Sequence, residues 1–266
     1  CRTGALISRD GSVDWLCLPR YDSASTFGAL LGEPDHGRWL VAPTDPGASA
    51  SRRYLDRTFV LVTNWRTATG ELEVTDFMPH GGGRSDLVRR LRCLSGEVEV
   101  HEDLRVRFGY ASALPWVRQL TEAGLPVLIA VAGPDAIVHR GPRLKADGHA
   151  HTGEYRLRTG ETHYLSLTWF QSHLPDPGPV DEAAALERTI VWWRKWASAY
   201  SHEGPYHDAV IRSLLVLRAL THEATGGIVA AATTSLPEQF GGPRNWDYRF
   251  VWLRDASLTL SAFLAH

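Results

Sequence analysis

Short stretches in which apolar and polar residues alternate fill the chain up to about residue 170. Two of them, residues 58–66 and 71–78, flank a four-residue link that ends in glycine, so they predict a β-hairpin. Further strands are predicted at residues 12–18, 38–41, 87–94, 97–108, 125–132, 154–158 and 163–170. Many short strands without intervening helices predict an antiparallel β-sandwich over residues 1–173.

A proline-rich stretch marks the end of this predicted domain, since three of the six residues 174–179 are prolines, which continue neither strand nor helix. A helix is predicted next. Asp181 can cap its first turn, and apolar residues recur every three or four positions from Leu186 to Tyr200. Residues 174–203 are therefore predicted to form a boundary and a linker helix.

The last part of the chain predicts two further helices, at residues 206–222 and after residue 252, joined by a long loop. The first is apolar on more than one side, so it must be largely buried. Helix, long loop and helix form the unit of an α/α toroid, and residues 204–266 are predicted to begin such a domain. Because the last helix shows no stop signal and the only methionine is Met78, we expect the chain to be a piece of a longer protein.

Composition narrows the classes of function. The 266 residues carry a net charge of −2, and no apolar run approaches the roughly 20 residues needed to cross a bilayer. Nucleic-acid-binding proteins usually carry a strongly basic surface, which this net charge does not indicate. Neither nucleic acid nor a membrane is therefore an expected partner. Three cysteines and scattered histidines show no metal or disulfide spacing, so we predict no metal and no cofactor, and a reducing cytoplasm is favoured.

Residues 241–257 carry the most informative chemistry, because four aromatic residues and two Arg/Asp pairs lie between a glycine turn and an apolar helix. Aromatic faces stack on a pyranose ring, and arginine and carboxylate groups bridge neighbouring hydroxyls through charge-assisted hydrogen bonds. The candidate sugar-binding residues are Tyr248, Trp252, Arg254 and Asp255. Three more residues either orient these four or form pairs at the helix start: Arg244, Asp247 and Arg249.

The four candidate residues form the pattern Tyr-x-x-x-Trp-x-Arg-Asp, which resembles the start of the catalytic domain of glycoside hydrolase family 15. That family contains glucoamylases, glucodextranases and a branch of α,α-trehalases. Residues 2–23 resemble the opening of the N-terminal sandwich domain in the trehalase-like branch, and residues 233–239 with 244–249 resemble its catalytic-domain entry. The two matches bracket almost the whole chain.

The resemblance implies a β-sandwich, a helical linker and the first helices of a truncated (α/α)6 toroid whose pocket splits terminal α-linked glucose with inversion. Inversion needs two carboxyl groups roughly 6.5 to 9.5 Å apart. In the family both are glutamates well beyond the first helical hairpin. We therefore expect no catalytic residue in this chain, and we interpret Glu238 as a structural turn carboxylate.

The resemblance also gives the four candidate residues their roles. Arg254 and Asp255 would hydrogen-bond a terminal glucose, while Tyr248 and Trp252 would wall its pocket. The structural alternatives are that the charged pair cross-links helices and that the two aromatic residues are ordinary core.

Other functions stay open at this stage. The expected partner is an α-linked glucose disaccharide or oligosaccharide, with trehalose slightly favoured over a starch-like glucan by the opening segment. A glycoside phosphorylase of related architecture would use phosphate in place of water. A carbohydrate-binding module without catalysis is the alternative from a different class. The oligomeric state is not indicated by the sequence.

Overall fold

A computed structural model describes residues 1–200, 204–234, 238–239 and 241–265. Part of the predicted catalytic-domain entry, residues 235–237, lies outside this range. The strands are β1 Leu6–Ile7, β2 Ser12–Cys17, β3 Ser25–Phe27, β4 Arg38–Pro43, β5 Ser49–Tyr54, β6 Leu61–Arg66, β7 Gly70–Phe77, β8 Ser85–Arg105, β9 Trp116–Glu122, β10 Leu125–Ala132, β11 Asp135–Arg140, β12 Lys145–Asp147, β13 Ala150–Arg158 and β14 Thr162–Gln171. The helices are α1 Glu182–Ala197, α2 His207–Ala219 and α3 Leu253–Ala265.

The strands form two layers, and the longest strand, β8, belongs to both. Its first half pairs with β7 and β14, while its second half pairs with β4 and β13. Layer I has the strand order β5-β6-β7-β8-β14-β11-β10-β9, and layer II has the order β1-β2-β4-β8-β13-β12 with β3 beside β2. All of these pairings are antiparallel, so the predicted sandwich is confirmed.

The continuity of β8 differs from the prediction of separate strands at 87–94 and 97–108. Leu94 is an extra residue on β8 relative to β7, which makes a β-bulge. Beside it Gly96 has a φ of +65°, and a Cβ added there would lie only 2.0 Å from the carbonyl oxygen of Thr69. The Ser-Gly pair therefore bends the strand from one layer into the other instead of ending it.

Side chains from both layers fill the space between them, and the buried polar groups there are held by one another. Trp39 Nε1 donates to the carboxylate of Glu102 at 2.9 Å. The Tyr155 hydroxyl donates to the same carboxylate at 3.3 Å, and His139 Nε2 lies 2.8 Å from it. This network sits in the sandwich core, since Trp39 and Glu102 are both fully buried.

Helix α1 joins the sandwich to the other two helices. It begins as predicted, because the Asp181 side chain accepts a hydrogen bond from the Ala184 amide at 3.1 Å. Leu186, near the start of α1, packs on the outer side of layer I, while Trp193 and Ala197 near its end pack on α2. Helix α2 buries three residues on its inner side, Ile211, Leu214 and Leu215, while Val216 is 40% exposed, so among the described residues the helix is less buried than predicted. No described helix is long and apolar enough to cross a membrane.

Candidate sugar-binding site

Residues 246–252 form the aromatic segment just before α3, and a short ladder of backbone hydrogen bonds holds it in place. The amides of Ala230 and Ala231 donate to the carbonyls of Phe250 and Tyr248, at 3.1 and 2.8 Å. Because these bonds fix the segment on both sides of Arg249, they set the point at which the chain turns into α3.

Three rings of this segment form the aromatic cluster, which consists of Trp246, Tyr248 and Trp252. Trp252 lies at its centre, with ring centroids 5.3 Å from Tyr248 and 6.1 Å from Trp246, both edge to face. Its indole Nε1 donates to the carbonyl of Asp247 at 3.0 Å. Tyr248 and Trp252 are half-buried, so both keep accessible ring surface among the described residues.

Arg254 and Asp255 pair with each other at the start of α3, with Arg254 Nη2 donating to Asp255 at 3.0 Å. The side chains are 67% and 29% exposed. Among the described residues, the Arg254 side chain faces solvent and that of Asp255 is partly exposed. An exposed ion pair contributes little to the stability of a fold, so stability does not explain why these two charged residues stand here. Their remaining hydrogen-bond donors and acceptors are open to a ligand.

Arg244 and Glu238 lie at the edge of the cluster. Their side chains are 3.8 Å apart and both are more than half exposed, which is surface pairing. Glu238 also accepts a hydrogen bond from Trp246 Nε1 at 2.9 Å, and its amide donates to the Arg244 carbonyl at 3.2 Å. These contacts connect Glu238 to Trp246 and Arg244.

Asp247 and Arg249 form the second pair and differ sharply from the first in exposure. Arg249 is only 6% exposed and donates to both carboxylate oxygens of Asp247, from Nε at 2.9 Å and from Nη2 at 2.7 Å. The hydrogen bonds from Arg249 lower the pKa of Asp247, and those bonds in turn raise the pKa of Arg249. Both groups therefore stay charged at neutral pH.

The remaining contacts of Arg249 reach the sandwich, and no feature of the sequence predicts them. Its Nη1 donates to the carbonyl of Ser23 at 2.8 Å and lies 3.4 Å from Cys17 Sγ. Trp15 contributes a further contact, since its Nε1 donates to the carbonyl of Ala232 at 3.1 Å. No local pattern marks these partners, because more than 200 positions separate them from the aromatic segment.

A groove of about 570 Å³ lies elsewhere, between the sandwich and helices α1 and α2. Its aromatic lining includes Tyr54, Phe59 and Trp192. None of the predicted sugar-binding residues lines it. Among the described residues, the predicted site thus lies outside this groove, at the start of α3.

Comparisons with known proteins match both parts of the chain. Residues 1–151 match the family model described as trehalase-like, N-terminal, and residues 204–266 match glycosyl hydrolases family 15. A trehalase from Mycolicibacterium smegmatis is 34% identical over 98% of this chain and 42% of its own length. A trehalase from Thermoplasma acidophilum is 30% identical over 97% of this chain and 45% of its own length. The chain thus spans less than half the length of these relatives.

A solved structure shares the fold. The crystal structure of a bacterial glucoamylase complexed with acarbose superimposes with a TM-score of 0.73 and 13% identity, over 96% of this chain and 44% of the other. The architecture is an antiparallel β-sandwich followed by a linker helix and the first helices of a truncated (α/α)6 toroid. The chain belongs to glycoside hydrolase family 15, in its trehalase-like branch.

Proposed function

We propose that this chain is part of an inverting, exo-acting α-glucoside hydrolase that releases glucose from trehalose or α-glucan oligosaccharides. The observation that carries the proposal is the half-buried aromatic cluster beside the exposed Arg254–Asp255 pair at the start of α3. It stands in a chain that is similar to trehalases along almost its whole length.

We also propose three domains. Residues 1–173 form the sandwich domain, residues 174–203 the boundary and linker helix, and residues 204–266 the incomplete start of the catalytic domain. The end of the last strand at Gln171 and the start of α2 at His207 support these limits. A reducing cytoplasm is the compartment we propose, supported by the three unpaired cysteines.

The two charged residues suit a terminal glucose because their hydrogen-bonding capacities are complementary. The Asp255 carboxylate can only accept hydrogen bonds and the Arg254 guanidinium can only donate them, whereas a sugar hydroxyl does both. Neighbouring hydroxyls can therefore donate to Asp255 and accept from Arg254, while Tyr248 and Trp252 cover the apolar side of the ring. In the complete protein, covering this surface would strengthen each of these bonds by lowering the local dielectric.

We assign the chemical step to two carboxyl groups outside this chain. An inverting hydrolase needs one carboxylic acid to protonate the leaving oxygen and one carboxylate, roughly 6.5 to 9.5 Å away, to activate water. Glu238 is a poor candidate for either role because its carboxylate already accepts from Trp246. The residues of this chain thus bind and orient the sugar. Among substrates we favour trehalose, since two relatives that are 34% and 33% identical to this chain are named trehalases.

The test uses the purified full-length protein with trehalose, maltose and isomaltose, each with and without inorganic phosphate. We expect glucose release without phosphate, fastest on trehalose, with the cleaved glucose appearing first as the β-anomer by proton NMR. Glucose 1-phosphate formed only when phosphate is present would identify a phosphorylase. Saturable binding of the sugars without any product would identify a carbohydrate-binding module and overturn the proposal.

A further inference from the structure

Arg249 joins two parts of the molecule that are far apart in sequence. It follows Tyr248 directly, but the two side chains make different contacts. Tyr248 packs edge to face on Trp252, whereas the guanidinium of Arg249 is buried against the sandwich. The segment that carries the proposed sugar-binding rings is therefore fastened to the sandwich through Arg249.

The guanidinium uses most of its hydrogen-bonding capacity in this contact. Two N–H groups engage Asp247 as a bidentate pair, and Nη1 faces both the Ser23 carbonyl and Cys17 Sγ. A planar fork with five donors can satisfy partners in several fixed directions, and a lysine ammonium on a flexible stem cannot reproduce that geometry. The contact thus fixes orientation as well as proximity.

The sandwich provides a socket for this side chain, formed by Trp15, Cys17, Ser23 and Tyr110. The guanidinium carbon of Arg249 lies 5.9 Å from the ring centroid of Trp15 and 5.6 Å from that of Tyr110. Rings at such distances attract a cation through their π faces. The socket therefore combines two aromatic rings with one main-chain acceptor and one sulfur.

The backbone of the socket carries a second and independent observation. Tyr110 and Ala111 have φ angles of +58° and +66°, a region that residues other than glycine rarely adopt. The Tyr110 amide is held there by a hydrogen bond to Ser25 Oγ at 3.0 Å. Such strain persists only where the surroundings enforce it, and it concentrates at functional sites. Here it presents the Tyr110 ring to Arg249.

We propose that Arg249 is a positioning residue through which the β-sandwich sets the place of Tyr248 and Trp252 at the glucose-binding site, a role that rests on the proposed function. A binding constellation loses affinity when its members are displaced by well under 1 Å, so the elements that hold it matter as much as the groups that touch the ligand. The sandwich is then an integral part of sugar binding and not a detachable module.

The test compares Arg249→Ala, Arg249→Lys and Tyr110→Leu in the full-length protein, with trehalose, at a temperature well below the melting point of every variant. We expect R249A to raise KM at least about tenfold with a smaller change in kcat, because the sugar-binding wall shifts while the catalytic groups lie elsewhere. R249K should recover part of the loss. Y110L should raise KM in the same direction and add little when combined with R249A, since both act through one contact.

Arg20→Ala is the matched control, because Arg20 pairs with Asp22 at the same two-residue spacing but is 51% exposed and lies outside the socket. It should leave KM unchanged. A lower melting temperature in R249A with an unchanged KM would show a purely structural role and overturn the inference, as would fully additive effects of R249A and Y110L. If R249A does not fold, R249K and Y110L carry the comparison.

The same variants separate this inference from the proposed function. If the unmodified protein releases no glucose but binds trehalose, the proposed hydrolase activity fails, and dissociation constants measured by calorimetry replace KM in the comparison. Equal constants for all variants would then overturn the inference by itself. If the unmodified protein neither cleaves nor binds trehalose, maltose or isomaltose, both fail.

Discussion

Arg249 donates a hydrogen bond to the main-chain carbonyl of Ser23 at 2.8 Å, although 226 positions separate the two residues. The bond connects the aromatic segment before α3 to the sandwich near β3. Since its acceptor is a backbone atom, no side-chain substitution at position 23 removes it directly. The tests must therefore act on Arg249 or on the partner that holds it.

Asp247 is that partner. Asp247→Asn weakens two charge-assisted hydrogen bonds from the buried guanidinium of Arg249. The free energy of unfolding at neutral pH should therefore fall by about 1 to 3 kcal/mol. The folded-state pKa of Asp247 lies below its ordinary value of 3.8. The carboxylate thus stabilises the fold above the unfolded-state pKa, and this contribution is lost as pH falls through the folded-state pKa. The difference between wild type and D247N, measured by urea unfolding, should shrink steadily below about pH 4.

Asp22→Asn provides the control for this prediction. Asp22 also pairs with an arginine two positions away, but Arg20 is half exposed, so the loss should stay below about 0.5 kcal/mol. Equal losses for D22N and D247N would contradict the view that burial makes the second pair important.

Asp255 should matter for activity and little for stability. In the full-length protein, Asp255→Ala is expected to lower kcat/KM for trehalose, because Arg254 and the sugar hydroxyls lose their acceptor. The loss should correspond to about 2 to 5 kcal/mol of transition-state binding. The melting temperature should hardly change, since the Arg254–Asp255 pair is exposed in this chain. An unchanged kcat/KM on every α-glucoside tested would remove Asp255 from the binding site.

How much the sequence can predict depends on whether the cause is local. The hairpin formed by β6 and β7 and the cap of α1 at Asp181 follow from a few neighbouring residues, and both are confirmed. Six strands were not predicted: β1, β3, β5, β9, β11 and β12. Two of them, β5 and β9, share a physical reason. They are the two edges of layer I, exposed along most of their length, so they lack the apolar alternation that marks a strand. They form because β6 and β10 offer unpaired backbone groups.

The candidate site shows the same division. The types and spacing of Tyr248, Trp252, Arg254 and Asp255 indicate sugar chemistry without any structure. The exposure of the charged pair could not be foreseen, because it depends on which helices pack against α3. The role of Arg249 depends on a contact with the first strands of the chain, and no spacing within the aromatic segment encodes it.

Glu102 tests the polar network of the sandwich core. The oxygens of its side chain accept hydrogen bonds from the indole N–H of Trp39 and the hydroxyl of Tyr155. Glu102→Leu removes both acceptors and leaves the buried Trp39 N–H without a partner, so the free energy of unfolding should fall by about 1 to 3 kcal/mol. Glu99→Leu, at an exposed position paired with Arg156, should change it by less than about 0.5 kcal/mol. Urea midpoints for both variants check the difference.

Gly96 tests the bend in β8. Both Gly96 and Gly133 have a left-handed backbone, with φ of +65° and +57°. Alanine at either position should therefore lower the free energy of unfolding by about 1 to 2 kcal/mol. A Cβ at Gly96 would also lie 2.0 Å from the Thr69 carbonyl oxygen, whereas nothing lies within 4 Å at Gly133. Gly96→Ala should therefore be clearly the more destabilising of the two in thermal unfolding. Equal losses would mean that the strand can bend at this point without the close approach.

Substitutions on the exposed apolar side of α3 should have opposite effects in the isolated chain and in the full-length protein. Leu258 and Leu264 are 65% and 89% exposed, and under the proposed function further toroid helices cover them in the full-length protein. Residues 1–266 produced alone should release no glucose and should bind an apolar dye, and Leu258→Glu and Leu264→Glu should reduce that binding.

In the full-length protein the same two substitutions should instead destabilise the fold, because each would bury an unpaired charge. Leu31→Glu is the control: Leu31 is 60% exposed in a short turn of the sandwich, so glutamate there should be tolerated in both forms. If L258E and L264E were harmless in the full-length protein, α3 would have to present this side to solvent there as well. The assignment of residues 204–266 as the start of a closed toroid would then be wrong.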